Sequence, residues 1–255
     1  MDFNKYLSMG IKDLISEFPK AGKILEEYDI GCVPCSVGTC KFMDIIDIHN
    51  LNENDEYDLM KRIFNEIYPG QDVVIPKMKR KIVEKNKNFS PPIEILISEH
   101  NNIKKLLNKI PLLVTKIKLP EDSEFIQNVI YFIKNYADKF HHAKEENILF
   151  KYFDETQDII KAMYQDHITG RDHVKRILDA LDKNEIDTVK KNMLEYGELL
   201  LGHIKKEDEI LYPWMDRELS ISQIGQMYNI FMEIDNTHKN DKNQALKFLE
   251  EIEDF

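Results

Sequence analysis

Two stretches of the sequence repeat one pattern: residues 141–150 are HHAKEENILF and residues 203–212 are HIKKEDEILY. Each contains a histidine, a glutamate four residues later, and a leucine followed by an aromatic residue. Residues four apart lie one above the other on the same face of a helix. Each stretch therefore predicts a helix that points an imidazole and a carboxylate in one direction.

A looser repeat precedes each of these stretches. An acidic residue followed by histidine occurs at Glu99-His100 and again at Asp166-His167, both times within an apolar helical pattern. The chain thus contains two similar helical pairs in succession. If the pairs face each other, they bring four imidazoles and two carboxylates to one point, from His100, His141, Glu145, His167, His203 and Glu207.

The fold class that this pattern predicts is all-α. Helical periodicity occupies about residues 91–110, 121–150, 157–182 and 186–215. Because the connections are short, consecutive helices should pack antiparallel as an up-down-up-down four-helix bundle. Ser90 followed by Pro91 and Pro92 predicts the start of the first helix, and Pro111 predicts its end. Residues 219–255 predict one or more additional helices against the bundle.

A small helical domain that contains all three cysteines is predicted before the bundle. We assign residues 1–75 to it, residues 76–90 to a linker, and residues 91–255 to the bundle domain. Pro19 predicts the start of a short helix, Thr39 the cap of a third helix, and Asn52 or Asn54 the cap of a fourth. Such short helices bury little area, so this domain needs a partner surface, a metal or the larger domain.

The composition excludes several classes of function. The 255 residues carry a formal net charge of −11, which argues against binding to nucleic acid or to an anionic membrane surface. No apolar stretch approaches the roughly 20 residues of a membrane span. The first residues alternate acidic and apolar side chains as an amphipathic helix does, unlike a signal peptide. We therefore expect a cytoplasmic protein.

The predicted cluster has the composition of a site for transition metals. Iron and zinc accept imidazole nitrogen and carboxylate oxygen, whereas calcium and magnesium prefer oxygen alone. Glu145 and Glu207 can bridge two ions and offset their mutual repulsion. Six protein ligands leave coordination positions open for a small ligand. A single His-x3-Glu pair is usually an ordinary helix-stabilising pair, but its repetition together with the two preceding histidines favours metal binding.

Some neighbouring residues have a similar spacing but a weaker pattern. His142 and Glu146 are also four apart, yet only the preceding pair aligns with the second stretch, so we predict that these two contact the ligands or face solvent. His173 is about 120° around the helix from the nearest predicted ligand and is expected at the surface or behind the ligands. Gly170, one turn after His167, can leave a gap through which a small molecule reaches the site.

The pattern in residues 91–215 resembles the hemerythrin-like (HHE cation-binding) domain. With the amino-terminal module, the chain resembles the family of iron–sulfur cluster repair proteins that regulate cell morphogenesis and nitric-oxide signalling. The resemblance implies a non-haem di-iron site, with or without an oxo bridge, held by the six residues named above. Ferritin-like di-iron proteins are disfavoured, because they carry Glu-x-x-His spacing instead. Oxygen-carrying hemerythrins often have a histidine where Glu145 stands, which favours the repair-type or enzymatic branch.

The cysteines leave four interpretations open. The segment Tyr28-Asp29-Ile30-Gly31-Cys32 resembles the start of the repair family's cysteine turn, but the family usually has adjacent cysteines, whereas here Cys35 and Cys40 follow at a distance. The three thiols can ligate an iron–sulfur cluster with a fourth ligand, or the first two can cycle as a redox dithiol. A zinc site with His49 and free cysteines in a small core are the remaining interpretations.

The function that these patterns predict is a di-iron protein of the oxidative and nitrosative stress response. It would react with O₂, peroxide or nitric oxide and support the repair of iron–sulfur centres. An oxidoreductase that reduces these molecules would need an electron-donor protein as partner. The alternative is a sensor or store that binds O₂ or nitric oxide without turnover. No partner among nucleic acids or membranes is expected, and the sequence does not predict the oligomeric state.

Overall fold

The structure is a computed structural model that describes residues 3–28, 30, 41–43, 45, 49, 51–75 and 89–253. In these ranges the regular secondary structure is helical and no β-strand occurs, so the predicted all-α class is confirmed. None of the described helices has both the length and the apolar character that a membrane span requires. The chain divides into two compact units, Met1–Lys87 with Gln157–Ile159, and Asn88–Thr156 with Ile160–Phe255.

The smaller unit contains four described helices around its own apolar core. They are α1 (Phe3–Leu7), α2 (Ile11–Glu17), α3 (Pro19–Glu26) and α4 (Glu53–Ile67). Pro19 occupies the first turn of α3, as predicted, where its missing N–H has no helical partner to lose. Asn52 caps α4, because its side-chain oxygen accepts hydrogen bonds of 3.0 Å from two backbone amides of the first turn.

Several predictions for this region fall outside the described residues. They concern the loop with Cys32, Cys35 and Cys40, the Thr39 cap, most of the third helix and residues 76–88 of the linker. The predicted bounds of the two domains stay a prediction.

The larger unit contains helices at all four predicted segments, which we call the four rods. The first rod is α5 (Pro91–Lys116) and the third is α7 (Asp158–Asp182). The second rod, residues 123–152, begins with α6 (Ser123–Phe132), and the fourth, residues 186–218, consists of α8 (Ile186–Lys206), a π-helical turn and α9 (Tyr212–Glu218). The first rod contacts both the second and the fourth. Their apolar faces form one core that includes Ile103, Leu106, Val129, Phe132, Ile177 and Val189.

The first rod is longer than predicted. Pro111 lies inside α5, which continues to Lys116, so the prediction that Pro111 ends this helix is wrong. An internal proline removes one helical hydrogen bond and costs about 3 kcal/mol. The turn beyond it buries Leu113 and Val114 in the core of the unit. Burial of such side chains contributes about 1.5–3 kcal/mol each, which is enough to offset the interruption.

Both copies of the repeated stretch contain a π-helical turn. These turns cover Glu145–Leu149 in the second rod and Glu207–Leu211 in the fourth, and a longer π-helix covers Ile133–His142. Each short turn begins at the repeated glutamate. Isolated π-turns inside α-helices often occur at functional sites. His141, Glu145 and Glu207 therefore lie where the backbone departs from the regular α-helix, whereas the other three predicted ligands lie in α-helices.

The carboxyl-terminal segment forms two helices, α10 (Ile221–Thr237) and α11 (Lys239–Glu253). Ser220 starts α10 with a capping box, because its hydroxyl accepts from Gln223 N at 3.3 Å while its own backbone N–H donates to the Gln223 side chain at 2.8 Å. Both helices contact the first rod, and α11 also contacts the π-helix of the second rod. Phe231 of α10 is fully buried. These helices are thus an integral part of the larger unit.

The core of the larger unit can be tested with two leucines of opposite exposure. Leu106 is 0% exposed and Leu194 is 42% exposed. We expect Leu106→Ala to lower the free energy of unfolding by about 2–5 kcal/mol, because it leaves a cavity between the rods. Leu194→Ala, with the same change of side chain, should cost about 0.5 kcal/mol or less. Urea unfolding followed by circular dichroism measures both, and equal losses would contradict the assignment of the core.

Candidate metal centre

The structure brings all six predicted ligands together in the interior of the larger unit. None of them exposes more than 1% of its surface. The first and third rods each contribute one histidine, and the second and fourth rods each contribute a histidine and a glutamate. The residues are His100, His141, Glu145, His167, His203 and Glu207.

These side chains form two groups that are each able to hold a cation. The first group consists of His100, His141, Glu145 and Glu207, and the second consists of His142, Glu145, His167 and His203. Within each group the candidate ligand atoms lie within 4.8 Å of one another. Glu145 belongs to both groups, so one carboxylate can link two neighbouring ions.

The distances between donor atoms suit a shared ion. Glu207 Oε2 lies 3.2 Å from His100 Nε2 and 3.1 Å from His203 Nε2. Glu145 Oε2 lies 3.5 Å from His167 Nε2. Two donors at right angles and about 2.1 Å from one ion are about 3 Å apart. Both carboxylates therefore lie between imidazoles of the two groups, where a bridging ligand would be.

The same atoms lack the hydrogen bonds that buried polar atoms normally make. Within the described part of the chain, His141 Nε2, Glu145 Oε2 and both carboxylate oxygens of Glu207 are buried and have no aligned hydrogen-bond partner. Leaving a buried polar atom without a partner costs about 1–3 kcal/mol, and more if it is charged. Coordination of a cation would satisfy all four atoms at once. The donor set therefore fits a metal.

Each of the four predicted histidine ligands has a carboxylate at its other ring nitrogen. The distances from Nδ1 to the nearest carboxylate oxygen are 2.6 Å for His100–Asp208, 3.0 Å for His141–Glu99, 2.7 Å for His167–Glu146 and 3.4 Å for His203–Asp166. A carboxylate can only accept a hydrogen bond, so Nδ1 carries the proton. The Nε2 lone pair then points at the centre, as a metal ligand requires.

A cation neutralises each of these carboxylates. The ion pairs are Lys104–Asp208 at 3.0 Å, Lys144–Glu99 at 2.5 Å, Arg171–Glu146 at 2.7 Å and Lys206–Asp166 at 2.7 Å. Lys144 is fully buried and also pairs with Asp235 of α10 at 2.6 Å. Each of the four predicted histidine ligands is thus held by a chain of two further charged residues.

The repeat in the sequence extends to these pairs, but the pairing is crosswise. Lys144 aligns with Lys206, and Glu146 aligns with Asp208. The acidic residue that precedes a histidine in the sequence contacts a histidine of another rod. Glu99 of the first rod accepts a hydrogen bond from His141 of the second. Alignment of the two stretches could have shown that a basic and an acidic residue recur beside each histidine. Only the packing of the rods shows which carboxylate contacts which histidine.

The approximate symmetry of the centre is broken at three positions. The hydroxyl of Tyr212 donates to Glu145 Oε1, whereas the aligned residue of the other stretch is Phe150 and has no hydroxyl. His142 belongs to the second group, whereas its counterpart is Ile204. The third difference is Gly170, whose counterpart is the buried Ile103. The two groups are therefore chemically different.

A cavity of about 300 Å³ reaches the second group. His142 and His167 line it together with Gly170, Val174 and Tyr196. A Cβ atom at Gly170 would lie 3.3 Å from Leu200 Cδ2, so a larger side chain here would narrow the cavity. The gap predicted at Gly170 thus coincides with a space that leads to one of the two groups.

The remaining predicted residues have different surroundings. His142 is buried and stacks on His167 with ring centroids 3.9 Å apart, so it does not face solvent. Its place in the second group was not predicted from the sequence. Glu146 holds His167, as expected of a residue that contacts the ligands. His173 lies outside both groups and pairs with Asn192 at 3.1 Å. The cysteines lie outside the described residues.

The carboxylates set the protonation of the centre. Burial lowers the pKa of His203, but Glu207 and Asp166 outweigh it and raise the pKa to about 9. Burial also lowers the pKa of His100, and Asp208 and Glu207 again outweigh it, so that pKa is raised. Burial, together with the neighbouring Glu207, raises the pKa of Glu145 well above its ordinary value. Without a metal, these three side chains therefore hold their protons more tightly than usual, and a bound cation would displace them.

Comparison with known families agrees with this geometry. The family model of the hemerythrin HHE cation binding domain matches residues 91–215. These residues belong to the hemerythrin HHE family. The resemblance to the HHE domain is confirmed, and the resemblance to the iron–sulfur repair family stays a prediction. Comparisons with curated proteins and with solved structures gave no match.

The matched part of the HHE domain contains all six predicted ligands and the four basic residues behind them. It ends before α10, so Asp235, which pairs with the buried Lys144, lies beyond it. The charged network of the cation-binding centre thus extends past the segment that the family model covers.

The carboxylates behind the histidines should control the affinity for metal. We expect Asp208→Asn to weaken the binding of a divalent cation about 10–100-fold, because the partner of His100 loses its negative charge and no longer acts only as an acceptor. Glu209→Gln removes the same charge from an exposed neighbour and should have little effect. Competition with a chromophoric chelator measures both affinities. Similar losses in the two variants would indicate a general charge effect instead.

Metal binding should also depend on pH. A cation must displace the proton of His203, whose pKa of about 9 is well above the usual range. We therefore expect the affinity for Zn²⁺ to rise by up to about tenfold per pH unit between about pH 6 and about pH 8, with release of protons. Calorimetry in buffers of different ionisation enthalpy counts the protons. An affinity that stays constant over this range would contradict the proposed ligation by His203.

Proposed function

We propose that the HHE domain binds two iron ions and reacts with O₂, peroxide or nitric oxide in the response to oxidative and nitrosative stress. The observation that supports this most directly is the presence of two buried donor groups that share Glu145. Their mixture of imidazole nitrogen and carboxylate oxygen favours iron over calcium or magnesium. When bound, iron supplies electron exchange with these small molecules.

In this proposal the described residues have separate roles. The four histidines, Glu145 and Glu207 would hold the ions, and the carboxylates behind the histidines fix each imidazole with Nε2 toward the centre. Tyr212 donates a hydrogen bond to Glu145 and so restrains one of the two carboxylates of the centre. The apolar core around the centre excludes water and strengthens the electrostatic interactions inside it.

The second group is the position where a small molecule would bind. The cavity beside Gly170 ends at His142 and His167 of this group. On the other side, Ile103 is buried at the aligned position and Tyr212 stacks on His100 at a centroid distance of 5.3 Å. An ion held by the second group would be reached through this cavity, whereas an ion held by the first group would be enclosed by protein.

Further features of the proposed function follow from the sequence, and the role of the cysteines also depends on the resemblance to the repair family. We propose that the four rods form an up-down-up-down bundle and that the amino-terminal cysteines exchange electrons or a small ligand with the iron pair. We further propose a cytoplasmic location and an electron-donor protein as partner. Delivery of iron to damaged iron–sulfur centres is compatible with coordination positions that remain open.

The number of iron ions tests the ligand assignment. We expect about two iron ions per chain in protein purified from iron-supplied cells, and a clear loss of iron in His141→Ala, because this removes a ligand of the first group. His173→Ala is the matched control, since His173 lies in the same unit but outside both groups. Elemental analysis gives the stoichiometry. Unchanged iron in His141→Ala, or an equal loss in the control, would contradict the proposed site.

Stopped-flow absorption then distinguishes an enzyme from a binding protein. Reduced, iron-loaded protein should consume O₂, peroxide or nitric oxide over many turnovers when an electron donor is supplied. A stable and reversible adduct without turnover would support the sensor or storage function instead. If none of the three molecules changed the spectrum, the proposed reactivity would be wrong.

A further inference from the structure

The cavity that ends at the second group is a groove between the second rod and α7. Along the second rod, residues four apart line it at Lys134, Asp138 and His142. The end at His142 is buried, and the end at Lys134 is exposed. The groove therefore leads from the surface to the donor groups along the π-helix of the second rod.

The volume of the groove exceeds what a diatomic molecule needs. It is about 300 Å³, whereas one water molecule in the liquid takes about 30 Å³. Sites for small organic molecules begin at about this size. The groove can therefore hold an organic molecule of several heavy atoms.

The wall of the groove is apolar over most of its length. Ile133 of the second rod, Val174 and Leu178 of α7 and Tyr196 of α8 line it. On the opposite side of the pseudo-symmetric centre, the counterpart of Gly170 is the buried Ile103, which fills the corresponding space. The groove is thus a specific feature of one side, and its wall suits an alkyl or aryl group.

The exposed end of the groove carries two lysines without an acidic partner. Lys134 and Lys175 both line it, and neither makes an ion pair with any residue in the ranges that the structure describes. The third basic residue, Arg171, is neutralised by Asp138 and Glu146, each at 2.7 Å. In a chain with a formal net charge of −11, two such lysines make a local positive patch that attracts an anion.

We propose that this groove binds a small amphipathic carboxylate. The carboxylate group lies between Lys134 and Lys175, and the apolar body extends along Val174 and Tyr196 toward His142. This inference goes beyond the reaction proposed above and does not depend on it, because every contact is made by the protein. A bound carboxylate of this kind would control which small molecules reach the second group.

Binding of octanoate to the metal-free protein tests the proposal. We expect saturable binding in isothermal titration calorimetry, with a dissociation constant of about 1 mM or lower at low ionic strength. Acetate has the charge without the apolar body, and octylammonium has the body with the opposite charge, so both should bind at least about tenfold more weakly. Absence of saturable octanoate binding, or equal affinity for octylammonium, would overturn the proposal.

Two double variants locate the binding site. Lys134→Gln/Lys175→Gln should weaken octanoate binding about tenfold, because both charged contacts are lost. Lys118→Gln/Lys183→Gln makes the same change of net charge at exposed lysines that do not line the groove, and should leave the affinity within about twofold. Equal weakening in both variants would mean that octanoate responds only to net charge, and the groove would not be its site.

Discussion

The burial of charge between the four rods is the constraint on which the larger unit depends. Removing an ion from water costs several kcal/mol unless it is paired and hydrogen-bonded. The structure meets this cost with the buried Lys144–Glu99 pair and with three partly exposed ion pairs, each placed behind a histidine. In these pairs the positive and negative charges cancel. The carboxylates of Glu145 and Glu207 remain, and the raised pKa values of Glu145 and His203 mean that protons balance them until cations take their place.

A shared centre explains why the two helical pairs resemble each other, and the differences between them determine access to it. Two helical pairs with the same spacing can meet around a common point, because each supplies an imidazole and a carboxylate from aligned positions. Differences at Tyr212, His142 and Gly170 then make one group enclosed and the other accessible. A symmetric pair would bind two equivalent ions. The observed pair instead consists of two donor groups that differ in composition and in access.

The sequence was sufficient for the helical class and for the convergence of the six predicted ligands, because both follow from spacing along a helix. It was insufficient where three-dimensional packing decides. Pro111 is normally a reason for a helix to end, yet burial of Leu113 and Val114 favours its continuation. The π-turns at Glu145 and Glu207 have no recognisable sequence pattern, and they alter the orientation of neighbouring side chains. His142 was left outside the predicted ligands because its counterpart is Ile204.

The crosswise pairing shows why local sequence could not reveal the partners of the histidines. Glu99 and His100 are adjacent, so on a helix their side chains point in directions about 100° apart. Each therefore meets a different rod, and Glu99 contacts His141 and Lys144 of the second rod. Burial comes first among the causes that raise the pKa of Glu99 to about 7, while Lys144 opposes this shift. The buried Lys144 thus keeps the pKa of Glu99 lower than burial alone would make it.

Lys144 also connects the centre to the carboxyl-terminal helices. Its ammonium group lies 2.6 Å from Asp235 of α10 and 3.8 Å from the centre of the Phe140 ring. A fully buried ammonium group that loses one carboxylate partner is destabilised by about 3–5 kcal/mol. Asp235 therefore supports Lys144, which supports Glu99, which in turn orients His141. Since Asp235 lies beyond residues 91–215, the structural unit that holds the centre is larger than the segment that defines the family.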